Sequence, residues 1–182
     1  MEKTTWNSDP THSELGFKIK HLMISNVSGT FGNFQVHVET DGDDFRSAVV
    51  HASADLSSIS TNNEQRDRHL RTSDFFEAER FPQLVFHSTK IEQIDAEEFY
   101  IYGNLTMKGI AKPVKFTALF SGITKDPWGG VRAGFEINGK INRSDWGISF
   151  NSALETGGVM LSEEVKISSE VELVKVSVPV PA

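Results

Sequence analysis

Apolar and polar residues alternate along most of the chain, and a period of two is the signature of half-buried strands. Phe17, Ile19 and His21 share one parity against Lys18 and Lys20, and Phe34, Val36 and Val38 alternate with Gln35, His37 and Glu39. Ala48, Val50, Ala52, Ala54 and Leu56 form a third set, and Leu84, Phe86 and Ser88 a fourth. Further on come Phe99, Ile101, Gly103, Leu105 and Met107, then Val114, Phe116, Ala118 and Phe120. Val131, Ala133, Phe135, Ile137, Gly139 and Ile141 make the seventh set, and Val165, Ile167, Val171 and Leu173 the eighth. These stretches predict eight strands, each with one apolar and one wet face.

The separators read as turns. Asp41-Gly42-Asp43-Asp44 and Asp126-Pro127-Trp128-Gly129-Gly130 are hairpin signals, and Gly109 to Pro113 is a short connection. No strand–helix–strand rhythm appears, so the pairing is expected to be antiparallel. A helical insertion is predicted around 62–79. Thr61-Asn62-Asn63-Glu64 has the spacing of a capping box, Asn63 to Leu70 follows as helix, and a second short turn covers Asp74 to Glu79 before Pro82. The expected fold is therefore all-β, an eight-stranded antiparallel barrel in preference to a two-sheet sandwich, because closure removes the sheet edges.

The inward parity mixes large rings with small residues, among them Ala48, Ala52, Ala54, Gly103, Ala118, Ala133 and Gly139. An eight-stranded barrel is just wide enough either to be filled or to hold one small ligand. The small residues fit a cavity, and they equally fit side chains packed into a tapering dry core.

The length, 182 residues, fits one domain spanning 1–182. Acidic residues outnumber basic ones 25 to 18, for a net charge of −7, which argues against nucleic-acid binding. There is no cysteine, so disulfides, zinc–thiolate sites and thiol catalysis are ruled out. No segment reaches the ~18 consecutive apolar residues of a membrane-spanning helix. Met1-Glu2-Lys3-Thr4-Thr5-Trp6 carries no basic stretch followed by an apolar run, so the expectation is a cytoplasmic protein, or a periplasmic one if a leader was removed.

Candidate chemistry is sparse. His12, His21, His37, His51, His69 and His87 show no metal-ligand spacing, so neither a metal nor another cofactor is expected. His37, His51 and His87 fall on wet faces, whereas His21 shares the core parity of Phe17 and Ile19 and needs a partner there. Asp9, His12 and Ser13 suggest a hydrolytic triad only weakly, since no Gly-x-Ser-x-Gly elbow is present. Arg66-Asp67-Arg68-His69-Leu70-Arg71 is the densest polar cluster. It reads first as a solvated helix across a barrel mouth with Leu70 inward, and second as a source of contacts to a polar ligand head. Arg143 and Asp145 are expected to fix a turn by their charges.

A set of ordered segments carries a family resemblance. Asp9-Pro10-x-His12-Ser13, Phe17-x-Ile19-x-His21-Leu22, Gly29-x-Phe31-x-x-Phe34 and Ser58-Ile59-x-Thr61 come first. Arg66-Asp67-x-His69-Leu70, Asp74-Phe75-Phe76 and Phe81-Pro82-x-x-x-Phe86-x-Ser88-Thr89 follow, and Gly103-x-Leu105-Thr106-x-x-Gly109 and Asn142-Arg143-x-Asp145-x-Gly147 complete the series. Together, from about Trp6 to Leu173, they resemble the YceI-like family of polyisoprenoid-binding, lipocalin-like proteins. The resemblance implies an elongated apolar tunnel for a long isoprenoid or similar amphiphile, a homodimer as a recurrent assembly, and no agreed enzymatic activity.

The function expected from residues and resemblance together is a non-catalytic carrier of a polyisoprenoid, isoprenoid quinone or fatty-acid-like lipid. Its wall would be Phe17, Ile19, His21, Phe34, Val36, Val50, Ala52, Leu84, Phe86, Leu105, Met107, Phe116, Phe120, Phe135, Ile137, Val165 and Ile167, with His12, Arg66 and His69 at the head group. Two rival readings are an enzyme acting on an isoprenoid or quinone with His12, Asp67 and His69 as acid–base groups, and a stress-related interaction domain with a filled barrel.

Overall fold

One-faced antiparallel strands can bury their faces and satisfy both edges by curling into a ring, and this chain does so. The computed structural model describes residues 2–155 and 158–176. Its strands are β1 (Lys3–Ser8), β2 (Glu14–His21), β3 (Ser25–Phe31), β4 (Phe34–Asp41), β5 (Asp44–Asp55), β6 (Ile59–Ser60), β7 (Gln83–Gln93), β8 (Glu98–Met107), β9 (Ile110–Lys125), β10 (Val131–Asn142) and β11 (Leu161–Lys175). Helix α1 (Glu64–Leu70) lies between β6 and β7.

The ring runs β1-β4-β5-β7-β8-β9-β10-β11 and returns to β1, an eight-stranded antiparallel lipocalin-like barrel. The extra ladders come from broken staves. β1 and β2 pair in succession with β11, Trp6 opposite Lys175 and Phe17 opposite Ile167, so they are two lengths of one stave interrupted at residues 9–13. β4 and β3 face them in the same way and make the next stave.

The break at residues 9–13 is held by charge. Arg132 donates from Nη1 to Asp9 at 2.8 Å and to Glu172 at 3.0 Å, and from Nε to Asp126 at 3.0 Å. The guanidinium, together with hydrogen bonds from Thr11, holds the Asp9 carboxyl down to about 2. Asp126 is lowered as well, first by the Gly130 N–H and then by Arg132.

The helix starts on a different cap from the one its sequence spacing predicts. Asn63, not Thr61, is the N-cap, and its side chain accepts the Arg66 N–H at 2.9 Å. An Asn in extended conformation caps as well as Thr does, and here it stands one residue before the first helical turn. Thr61 is engaged elsewhere: its N–H and hydroxyl both donate to the buried Asp67 carboxylate, at 2.8 and 2.6 Å. From Arg71 to Arg80 the chain forms linked turns, closed by Phe76 N–H to Leu70 O and Ala78 N–H to Arg71 O.

Two glycines of the inward parity prove to be packing positions rather than cavity makers. A Cβ on Gly103 would lie 2.5 Å from the Phe86 ring and 2.3 Å from the His87 carbonyl, and one on Gly139 would lie 2.4 Å from the Phe116 ring. The Phe rings cover the bare backbone of the neighbouring strand. The barrel is nevertheless not filled. Trp6, Val38, Phe45, Phe99, Ala118, Ala133, Val171 and Leu173 pack one end solidly, and the interior beyond them is hollow.

Candidate functional site

The hollow is a cavity of about 480 Å³, within the roughly 300–1,000 Å³ of ligand sites. Alternation builds its wall, because every second residue of each stave must point inward. Phe17, Ile19, His21, Phe34, Val36, Val50, Ala52, Leu84, Phe86, Leu105, Met107, Phe116, Phe135, Ile137, Val165 and Ile167 all line it. Phe120 does not. It stacks behind the floor on Phe135 at 5.0 Å and on Phe45 at 5.4 Å.

The floor is aromatic. Phe45, Phe99 and Phe135 face the cavity, and Trp6 backs them, with its ring 5.1 Å from Phe45 and Nε1–H donated to Thr40 at 3.0 Å. The opposite end is roofed by residues from α1 and the loops: Leu70, Phe75, Phe76, Ile148 and Phe150. His69 stands edge-on to Phe75 at 5.1 Å and to Phe150 at 4.9 Å, and its Nε2 pairs with Asp74 at 2.8 Å. Arg66 also borders the cavity but is tied back, Nε to Thr61 Oγ1 and Nη2 to Thr61 O, each at 2.8 Å.

His12 is separated from this roof. It lies outside the cavity, largely exposed, with Nδ1 4.0 Å from Glu172. Its place in the interrupted stave, beside the Arg132 cluster, carries it to the outer wall. His12, Asp67 and His69 are therefore not brought together: Asp67 is spent on Thr61, and of the three only His69 reaches the wall. Among the described residues no group of three His, Asp or Glu side chains is arranged to hold a metal ion. His37, His51 and His87 stand opposite one another on β4, β5 and β7, and His51 and His87 share a 2.6 Å contact between Nδ1 atoms.

Some wall residues escape the alternation rule. Phe75, Phe76 and Phe150 come from irregular segments, where the visible signal is an aromatic pair inside a polar insertion for the first two and a lone ring for the third. Phe45 is out of phase with Ala48 and Val50 because the β4–β5 register shifts between Glu39 and Asp41. Arg143 does not pair with Asp145. It opens a tight 3-10 turn, Arg143–Trp146, closed by Gly147 at φ 73° and tied to β8 by Trp146 Nε1–H to Leu105 O at 2.8 Å; the residue borders the cavity and its guanidinium is buried. No helix among the described residues is long and apolar enough to cross a membrane.

Residues 6–173 match the YceI-like domain. A UPF0312 protein of Staphylococcus epidermidis is 44% identical over 170 residues, covering 93% of this chain and 96% of its own. The structure of the Campylobacter jejuni YCEI protein superposes with a TM-score of 0.76 at 34% identity, over 88% of this chain and 91% of that one. A polyisoprenoid binding domain from Saccharophagus degradans, implicated in plant cell wall breakdown, shares the fold with a TM-score of 0.67 at 12% identity, over 92% and 97% of the two chains.

Proposed function

The chain belongs to the YceI-like domain family, and on that premise we propose that it binds one long-chain amphiphile inside the barrel and carries it unchanged. The observation that carries this reading is the cavity itself: a hollow of about 480 Å³ whose wall is almost wholly hydrocarbon and aromatic. Each methylene moved from water into such a wall contributes about 0.8 kcal/mol. An empty apolar hollow has no comparable gain, since its lining lacks partner atoms. A polyisoprenoid, an isoprenoid quinone and a fatty-acid-like chain all satisfy this physics. The polyisoprenoid binding domain of the same fold supports the first of them.

Carriage without conversion is supported by the separation of His12, Asp67 and His69, of which only His69 reaches the wall. Native mass spectrometry of gently purified protein is the direct test. A retained mass in the range of a single long-chain lipid is the expected result. Purified protein that holds no lipid and takes up no hydrophobic polyene would overturn the reading.

A further inference from the structure

The hairpin between β2 and β3 joins the cavity to the surface. Its base, at His21 and Val27, lines the hollow, whereas Leu22, Met23 and Ile24 at its tip turn outward and are 40%, 52% and 85% exposed. Leu22 N–H donates to Met160 O at 2.8 Å, which ties the tip to a segment where Met160 lines the cavity and Val159 is exposed. The tip is a tight turn, closed by Ile24 N–H to His21 O at 3.2 Å, with φ of 54° at Leu22 and 64° at Met23. Asn-Gly fills a turn of this kind most easily, and bulky apolar residues seldom take that backbone. Three consecutive apolar side chains are thus held in water at a conformational cost.

Behind the tip the outer wall is basic. Lys18 and Lys20 occupy the exposed parity of β2, and Lys18, Lys166 and Lys140 stand side by side across β2, β11 and β10. Like charges directly opposite one another on a sheet are destabilising. Lys140 meets Glu164 at 3.9 Å, and Glu163 faces Arg143 at 3.8 Å. Among the described residues no ion pair engages Lys18, Lys20 or Lys166; the paired lysines are Lys3, Lys90, Lys140 and Lys175. A chain of net charge −7 therefore sets uncompensated cations beside exposed hydrocarbon at one place.

We propose that the β2–β3 hairpin docks the barrel onto an anionic lipid bilayer, with Leu22, Met23 and Ile24 entering its hydrocarbon edge and Lys18, Lys20 and Lys166 meeting the head groups. An apolar tip with a basic flank is what an interfacial anchor requires. A protein partner fits less well, because these few side chains fall far short of the ~1,200 Å² of a stable interface. Trp128, 84% exposed, lies at the closed floor end between β9 and β10, and its own N–H is bonded to the Asp126 carboxylate. Docking there would present the packed floor to the bilayer. Docking by the hairpin presents the cavity-lining His21, Val27 and Met160. This goes beyond carriage, since docking is defined whether or not the barrel holds a lipid.

Cosedimentation of the full chain with vesicles tests it. Vesicles of phosphatidylcholine and phosphatidylglycerol should bind the protein about tenfold more strongly than phosphatidylcholine alone, and added salt should weaken the binding. Leu22→Asn combined with Met23→Gly supplies the favoured turn residues. It should raise the melting temperature while lowering vesicle binding by about tenfold. Lys18→Gln and Lys20→Gln should each lower binding about fivefold, and Trp128→Ser should leave it unchanged. Unchanged binding by the double variant, or loss on Trp128→Ser instead, would overturn the docking face. Absence of vesicle binding by the unaltered protein, or a dimer in solution that the double variant dissolves, would do the same. Polyene uptake measured without vesicles remains the test of carriage, so the two readings fail separately.

Discussion

The two ends of the barrel are built from the same alternating strands and reach opposite outcomes. At the floor, Trp6, Phe45, Phe99, Phe120 and Phe135 meet ring on ring, with centroid separations of 4.9 to 6.4 Å, and the small residues between them are covered. Ala118 and Ala133 are each 1% exposed there. Toward the roof rings meet as well, Phe86 with Phe116 at 5.5 Å and Phe75 with Phe150 at 5.2 Å, but they stand around the hollow, and loops rather than strands close the end. Binary pattern sets which side chains face in. Whether they touch depends on how many rings converge at one level, which no single strand reveals.

Thermal unfolding should separate the two ends sharply. Trp6→Ala removes a fully buried ring at the floor together with its bond to Thr40. The expected cost is about 3–5 kcal/mol, or a fall in melting temperature of about 6–20 °C for a domain of this size. If a floor residue this deeply packed costs under 1 kcal/mol, the floor is no more solid than the roof and the contrast fails.

Overpacking sharpens the contrast next. Ala133→Phe, at the floor, should cost about 1–3 kcal/mol through strained rotamers and shifted backbone. Gly103→Ala belongs with it, because its Cβ would press on both a carbonyl and the Phe86 ring. Calorimetry of both variants checks this. Unchanged melting at Ala133→Phe would reveal unsuspected room at the floor.

Acid reads the outer clasp of the floor end. The Asp9 carboxyl is held down to about 2 against an ordinary value of 3.8, so its stabilising contribution is complete above about pH 4 and is lost as pH falls toward 2. Arg132→Met should lower melting at pH 7, and the gap to the unaltered protein should narrow steadily from pH 4 to pH 2. A gap that stays constant over that interval would show that the Asp9–Arg132 contact adds nothing.

The smallest thermal effect belongs to the hollow end. Ala52→Phe adds a ring where there is space, and melting of lipid-free protein should move by no more than about 0.5 kcal/mol equivalent, while uptake of a long polyene falls. Loss of stability equal to that of Ala133→Phe would erase the distinction between the ends.

Much of the ring was legible from period-two alternation alone, because each stave has one wet face. The sites where it was silent share a physical cause. Phe45 lies beyond an irregularity in the β4–β5 register, which inverts parity without leaving a mark in composition. Lys3–Ser8 is a strand because β4 and β11 flank it, although Trp6 is its one strongly apolar residue. Gly103 and Gly139 are small to admit rings from neighbouring strands, and cross-strand partners cannot be read along one strand. Asn63 and Thr61 are equally good caps, and only the position of Asp67 decides between them. Arg143 reads as a turn residue until three carbonyls lying 5 to 19 residues further along the chain are drawn around its guanidinium.

Closure between β1 and β11 joins residues far apart in sequence, Trp6 beside Lys175. Without Leu161–Lys175 the seven other staves have two unsatisfied edges and an uncovered apolar face. Contacts of such long sequence separation place the domain among slow, topologically demanding folders. The binding chamber is therefore closed only where this long-range seam is made.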